Sequence, residues 1–281
     1  MDLILGLADK YVLNHVYPST WPIDNFWRQS LSLYVIVTLG GYFMYFVIGS
    51  LDFFILYDKN NLKDKRILKN QIRKEMASSC FSIPMMGFFS LPFYMVSIRG
   101  YSKLYYYPTE ENGGVGYMIF SVILYLAFTD FAIYWIHRFL HTFPWLYKNI
   151  HKEHHKWIVV TPYACFAFHP IDGTSQSVPY LIFPWFFPIQ KVLYVCLYVF
   201  VMLWTVAIHD KFSFVRNVVV NGSAHHNLHH THYMYNYGQF FTFWDRVGGS
   251  FRQPKWDEKG KIIDDDWEGR ELSKSKLDKK D

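Results

Sequence analysis

Charge is scarce in this sequence. Asp, Glu, Lys and Arg make up 18% of its 281 residues, against about a quarter in ordinary soluble domains. The deficit is concentrated in a few long stretches, which argues against a soluble globular enzyme. Cysteine is also rare. Cys80, Cys165 and Cys196 stand far apart, and Cys80 and Cys196 fall inside apolar runs. That pattern implies neither a disulfide framework nor a thiolate metal site. No basic run is interleaved with aromatics, and the formal charge is only +5, so a nucleic-acid-binding module is set aside. The first residues lack a basic segment ahead of a short apolar core, so no cleaved signal peptide is expected.

What the chain does have is long apolar runs. Gln29 to Leu51 carries no charge, nor does Ala77 to Ile98; Val115 to Ile136 is interrupted only by Asp130. Each is long enough to cross a hydrocarbon core about 30 Å thick. Pro84 and Pro92 lie in the second run, and membrane helices tolerate proline better than soluble ones do. Residues 1–28 mix apolar and aromatic residues with Pro18 and Pro22, as expected of an interfacial lead-in. Residues 29–136 then form a transmembrane region of three spans. Residues 58–75 are strongly basic and 99–111 are not. The excess of Lys and Arg puts the first of these loops in the cytosol, and the third span delivers His137 to that same side.

Twelve of the thirteen histidines lie between His137 and His232. His137 and His141 are four apart. His151, His154 and His155 follow an i, i+3, i+4 pattern, and so do His226, His229 and His230. On a helix those offsets put side chains on one face. Neutral imidazoles that converge offer lone pairs to iron, zinc, copper or nickel. Eight imidazoles are too many for one metal and suit two. Pro144 and Pro162 bound two expected short helices that carry His151, His154 and His155. Residues 174–208 are apolar except for Lys191, and Pro184 and Pro188 lie near their middle. If His209 and the last group serve the same metals as the first two, this stretch must return to the side it left, so it reads as a hairpin of two short helices. Gly222 and Ser223 start the last histidine helix and Gly238 marks its expected end. The segment QFFTFWDRVGGSF is amphipathic and aromatic and is expected to cover the site. Residues 255–281 are a charged tail, expected to be disordered. The fold expected is an all-α polytopic membrane protein with a cytosolic helical, histidine-rich di-metal domain.

Other residues near these groups are candidates for supporting roles. His209 is expected to complete the metal shell, and His169 is a further candidate ligand. Asp130 lies at membrane depth, where a carboxylate is costly and a functional role is the default reading; it is expected to accept a hydrogen bond from a ligand imidazole. His225 points away from His226 and is assigned a supporting role. Trp135, Phe166, Phe168, Tyr233 and Tyr237 are near enough to the ligands in sequence to line a substrate cavity. The HKEHH group is not the HExxH pattern of zinc proteases, and Glu153 is read as a solvated helix residue. Two metals held by nitrogen ligands in a membrane context suit oxidation of a lipid, with iron favoured because zinc has no redox chemistry.

At these residues the chain resembles the sterol desaturase branch of the fatty acid hydroxylase superfamily. The HxxxH, HxxHH and HxxHH boxes match His137/His141, His151/His154/His155 and His226/His229/His230 without departure. TDFAIYWIHR, FHPIDG, NGSAHH, YNYGQ and FTFWDRVGGSF resemble the subgroup that acts on delta-7 sterols. YPSTWP and IRGYSKL extend the likeness over roughly residues 1–254. The resemblance implies a catalytic domain over 124–254 that includes the hairpin, and two non-haem irons held by the eight box histidines. It implies dioxygen as co-substrate and electrons from cytochrome b5 with its NAD(P)H-dependent reductase. It further implies a delta-7 sterol substrate gaining a 5,6 double bond in the endoplasmic reticulum membrane. Within the superfamily, a sterol methyl oxidase or lipid hydroxylase uses the same boxes. A histidine-lined membrane metal transporter is the alternative of a different class, but transporters place ligands at the bilayer midplane and these boxes are expected beyond the span ends.

Overall fold

The computed structural model describes residues 2–212, 214–256 and 262–263. Of the tail at 255–281, where disorder was expected, Lys255–Trp256 and Ile262–Ile263 instead form a strand pair, and its other residues lie outside the described residues. Among the described residues, three helices are long and apolar enough to cross a membrane: α1 (Phe26–Ile55), α2 (Gln71–Ile98) and α3 (Gly114–Thr142). Two helices of 17 residues, α4 (Pro170–Phe186) and α5 (Lys191–Ala207), follow. At 1.5 Å per residue each spans about 25 Å, short of a full hydrocarbon core. A short helix (Ser223–His232, α6) and a single turn (Phe243–Val247, α7) come after these, and the N-terminal residues Asp2–Val16 are also helical. Two short strand pairs, Leu104–Tyr105 with Ile189–Gln190 and Lys255–Trp256 with Ile262–Ile263, accompany them. The chain is an all-α polytopic membrane protein.

Local chemistry explains the helix boundaries. The Asn25 side chain accepts from the amides of Trp27 and Arg28, both at 3.0 Å, and so starts α1. His169 Nδ1 accepts from the Ile171 amide, with Pro170 in the first turn of α4. The prolines inside helices strip a donor from the carbonyl four residues back. Tyrosines replace it in two places: Tyr42 donates to the Cys80 carbonyl at 2.7 Å, opposite Pro84, and Tyr194 donates to the Tyr180 carbonyl at 3.0 Å, opposite Pro184. Helices α1 and α2 pack closely over small residues, as membrane helices do. A Cβ on Gly41 would stand 2.9 Å from Ile83, and one on Gly87 3.1 Å from Thr38.

The segment from Trp157 to Phe168 is buried almost throughout although it has little regular structure. Its backbone must therefore find partners. Side chains of the spanning helices supply them. Tyr45 and Ser79 donate to the Tyr163 carbonyl, Tyr57 and Gln71 to Val160 and Val159, and Ser82 to Phe168. Glu75, fully buried in the first turns of α2, accepts from Thr161 and Gln71. This loop is thereby fixed against α1 and α2, and it leads from the second histidine group into α4.

The hairpin α4–α5 turns at the end of the molecule opposite the histidines. Ile189–Gln190 pairs in parallel with Leu104–Tyr105, so its turn lies beside the 99–111 loop. Lys191 pairs with Asp2 there, and Arg28 joins Asp9 at 2.5 Å, which ties down the N-terminal segment.

Three boundaries differ from expectation. α3 runs past Ile136 through His137 and His141, so the first box forms the last turns of a spanning helix. The two short helices expected between Pro144 and Pro162 are single turns instead: Pro144–Leu146, a wide turn Tyr147–His151, and a tight turn His154–Lys156. α6 ends at His232 and not near Gly238, because Tyr233 turns left-handed (φ 57°) and sends the chain back along the histidines.

Candidate metal centre

Nine imidazoles gather at the end of α3, and they form two groups. His137, His141, His151, His155 and His229 make the first; His154, His209, His226 and His230 make the second. Within each group the available ligand atoms lie within 4.8 Å of one another, and all nine rings are buried except the half-buried His141. Four elements contribute. α3 supplies His137 and His141, the two turns after Pro144 supply His151, His154 and His155, the residues just after α5 supply His209, and α6 supplies the rest.

The outer ring nitrogens fix the tautomers. His137 Nδ1 lies 3.0 Å from the Tyr237 carbonyl, His229 Nδ1 2.8 Å from Tyr235 and His209 Nδ1 2.7 Å from Thr205. His151 Nδ1 lies 2.7 Å from Asp172 Oδ2, with both side chains fully buried. A carbonyl or carboxylate can only accept, so each Nδ1 carries the proton and each Nε2 keeps its lone pair. Those lone pairs converge. His151 Nε2 is 3.2 Å from that of His137 and 3.0 Å from that of His155, while His226 Nε2 is 3.0 Å from His209 and 3.1 Å from His230. His229 Nε2 is buried with no hydrogen-bond partner among the described residues. Burial, followed by the neighbouring imidazoles, holds His154, His155, His226, His229 and His230 well below the usual imidazole range. Burial pushes His209 down to about 4. Neutral, convergent, all-nitrogen donor sets of this kind fit a transition metal in each group.

Several residues singled out from the sequence lie elsewhere. His169 is in neither group and caps α4. Asp130 does not accept from an imidazole as expected; its Oδ1 accepts the backbone amides of Phe240 and Phe241 at 2.7 and 3.1 Å. These amides need an acceptor because the segment after Gly238 is not helical. His225 is fully buried but outside both groups, 6.0 Å ring to ring from Phe251, and its carbonyl accepts from Asn236. Of the 239–251 segment expected to cover the site, Gln239 lines the apolar cavity beside the histidines, while α7 braces a loop. The α7 residue Asp245 is buried and accepts from the Tyr237 and Gly238 amides, so it braces the loop whose carbonyls orient His137 and His229.

An apolar cavity reaches the histidines from between α2, α3, α4 and α5. Met86, Ile133, Phe166, Phe168 and Val201 form part of its wall, and His137, His154, His209 and His226 face it. Phe166 and Phe168 thus line it, while Trp135, Tyr233 and Tyr237 do not. Trp135 is half-buried against Phe139 on the outer side of α3. Tyr233 packs 4.7 Å from the His155 ring and Tyr237 5.0 Å from His141, both on the metal groups themselves.

Asp172, absent from the candidates above, makes the one carboxylate contact to these rings among the described residues, at 2.7 Å. Its signal was its place in FHPIDG, in the first turn of a helix whose next residues are nearly uncharged. A carboxylate beside a dense histidine group is a standard partner for a metal-bound imidazole.

Two buried histidine groups, each of which could hold a metal, thus stand at the end of an apolar cavity in a membrane protein. The fatty acid hydroxylase family matches residues 122–250, which includes all nine of these histidines. The chain is 50% identical over 241 residues to a probable Delta(7)-sterol 5(6)-desaturase of Neurospora crassa, covering 86% of this chain and 70% of that protein. It is 47% identical to lathosterol oxidase of Rattus norvegicus over 258 residues, 90% of this chain and 86% of the relative. The human lathosterol oxidase is 45% identical over the same shares. No solved structure was found to match. The chain belongs to the sterol desaturase branch of the fatty acid hydroxylase superfamily.

Proposed function

We infer that this chain is a delta-7-sterol 5(6)-desaturase that holds two irons in its two histidine groups. The observation that carries this reading is the apolar cavity ending on both groups at once. His137, His141, His151, His155 and His229 would hold one iron, and His154, His209, His226 and His230 the other. Iron, when bound, supplies the redox capacity to activate dioxygen, which zinc lacks. The overall reaction removes two hydrogens from the sterol. With dioxygen, two electrons and two protons it yields the 5,6 alkene and two waters.

The protein's own residues set the conditions. The Tyr235, Tyr237 and Thr205 carbonyls and Asp172 hold the ligand rings in the tautomer that binds metal. Met86, Ile133, Phe166 and Phe168 exclude water and accept an apolar ring system. The cavity lies between spanning helices, which suits a substrate that arrives from within the bilayer.

Electrons would come from cytochrome b5 and its NAD(P)H-dependent reductase. Lys148, Lys152 and Lys156 are exposed on the turns that carry His151, His154 and His155. That surface has the charge to receive an acidic donor protein. The basic 58–75 segment lies at the same end, since Gln71 and Ser78 bond to Val159 and Glu153. The Lys/Arg bias at this end supports a cytosol-facing centre in the endoplasmic reticulum membrane.

The test is sterol analysis of cells lacking their own 5-desaturase, expressing this chain or His229→Ala. Delta-5,7 sterols should appear with the parent and not with the variant. Unchanged delta-7 sterols despite good expression of the parent would defeat the reading.

A further inference from the structure

Asp172, Gln176 and Tyr180 stand four residues apart along α4, so they occupy successive turns of one face. Asp172 holds His151. Gln176 and Tyr180 both line the cavity. Gln176 Nε2 donates to Asp172 Oδ1 at 2.7 Å. That bond fixes the amide, because a carboxylate can only accept. Gln176 Oε1 is therefore turned away from Asp172 as a free acceptor.

Tyr180 is 4% exposed, and its hydroxyl is buried with no hydrogen-bond partner among the described residues. The other hydroxyls of the wall are satisfied: Ser177 donates to the Thr174 carbonyl and Thr205 to the Val201 carbonyl. Among the described residues, Tyr180 Oη is the one buried polar atom of the cavity wall, histidines apart, without a partner. A buried hydroxyl left unpaired is costly and asks for an explanation.

We propose that Gln176 and Tyr180 form a cradle for the sterol's 3-hydroxyl group. This rests on the desaturase reading for the identity of the ligand. The hydroxyl would accept from Tyr180 Oη and donate to Gln176 Oε1, which gives the buried Tyr180 hydroxyl the partner it lacks. Residues four apart on a helix stand side by side, with about 5–6 Å between their Cβ atoms, so one ligand hydroxyl can meet both side chains. In a sterol only one carbon separates the hydroxyl-bearing carbon from carbon 5. Anchoring the hydroxyl therefore also anchors the bond to be oxidised, beside the histidines. The cradle is coupled to the metal groups through Gln176, Asp172 and His151.

The test uses the full-length, metal-loaded protein with Tyr180→Phe and Gln176→Leu. Equilibrium binding is measured with labelled lathosterol and its 3-deoxy counterpart, alongside product analysis by mass spectrometry. The parent should bind lathosterol at least about tenfold more tightly than the deoxy compound, since a site built to bond a hydroxyl leaves its groups unpaired without it. Each variant should lose most of that preference by weakening for lathosterol alone. Tyr180→Phe should keep or raise the thermal midpoint, because it removes an unpaired buried group. A parent without the preference, variants that retain it, or a lowered midpoint in Tyr180→Phe would overturn the cradle. Hydroxyl-dependent binding without any 5,6-unsaturated product would leave the cradle standing and defeat the desaturase reading instead.

Discussion

His151 Nδ1 and Asp172 Oδ2 lie 2.7 Å apart, and neither side chain has any exposure. Asp172 thus sets the orientation and tautomer of a ring whose Nε2 sits between those of His137 and His155. Replacing such a partner typically costs about 10–100-fold in metal affinity or activity. Asp172→Leu should fall in that range, by metal analysis and by sterol turnover. Asp172→Asn should lose less, because its amide oxygen still accepts from Nδ1–H. Equal, full activity in both variants would show that the contact does not matter.

His209 and His169 should separate cleanly. His209 belongs to a metal group and His169 caps a helix. His209→Ala should lower bound metal toward one ion per chain. His169→Ala should keep both ions and lose about 1 kcal/mol of stability, the usual size of a cap contribution. Metal content by mass spectrometry of the purified variants distinguishes them.

Acid should release the metal. Burial depresses the pKa of His209 to about 4 and holds five other group members well below the usual range. In the unfolded chain these rings titrate near 6.5. Between those values the unfolded state binds more protons, so stability rises with pH there. Stability should be fully present above about 6.5 and decline as pH falls toward about 4. Metal competes with the same protons, so metal retained after dialysis should fall over that window. Flat retention from neutral pH to pH 4 would contradict the neutral-imidazole centre.

Asp130 should prove structural. Asp130→Leu leaves the Phe240 and Phe241 amides without their acceptor. Each orphaned amide costs about 1–3 kcal/mol, and the loop that orients His137 should loosen. Asp130→Asn should recover most of the thermal midpoint. A Leu variant as stable as the parent would refute this.

Gly173 sets the cavity's width. A Cβ there would stand 2.7 Å from Met86 Sδ and closer still to the Phe168 ring. Gly173→Ala should push Phe168 into the cavity and cost about 1–3 kcal/mol through overpacking. KM for the sterol should rise more than kcat falls. An unchanged KM would mean the substrate does not use this part of the cavity.

Much of this protein is local and was therefore legible. Charge-free runs such as Gln29–Leu51 must be buried in lipid or protein, so α1, α2 and α3 follow from composition. The boxes repeat a helical spacing, which announces convergent imidazoles before any fold is known. What the sequence could not do was sort them. His151 and His155 join one group while His154, between them, joins the other. That division depends on how the tight turn after His151 meets α6, and spacing along the chain does not specify it.

The supporting contacts were decided by tertiary structure for the same reason. His137 bonds to a carbonyl 100 residues away at Tyr237, and Asp130 to amides 110 and 111 residues away. A backbone carbonyl has no side-chain identity, so nothing in the letters marks Tyr235 or Tyr237 as the acceptors for His229 and His137. The left-handed turns at Tyr233 and Asn236 bring them there. The sequence by itself determined which atoms can bind metal and that they meet near a membrane. The packing of α4 and the returning 233–238 loop decided which partners hold each ring, because burial obliges every polar group to find an acceptor or donor wherever the fold supplies one.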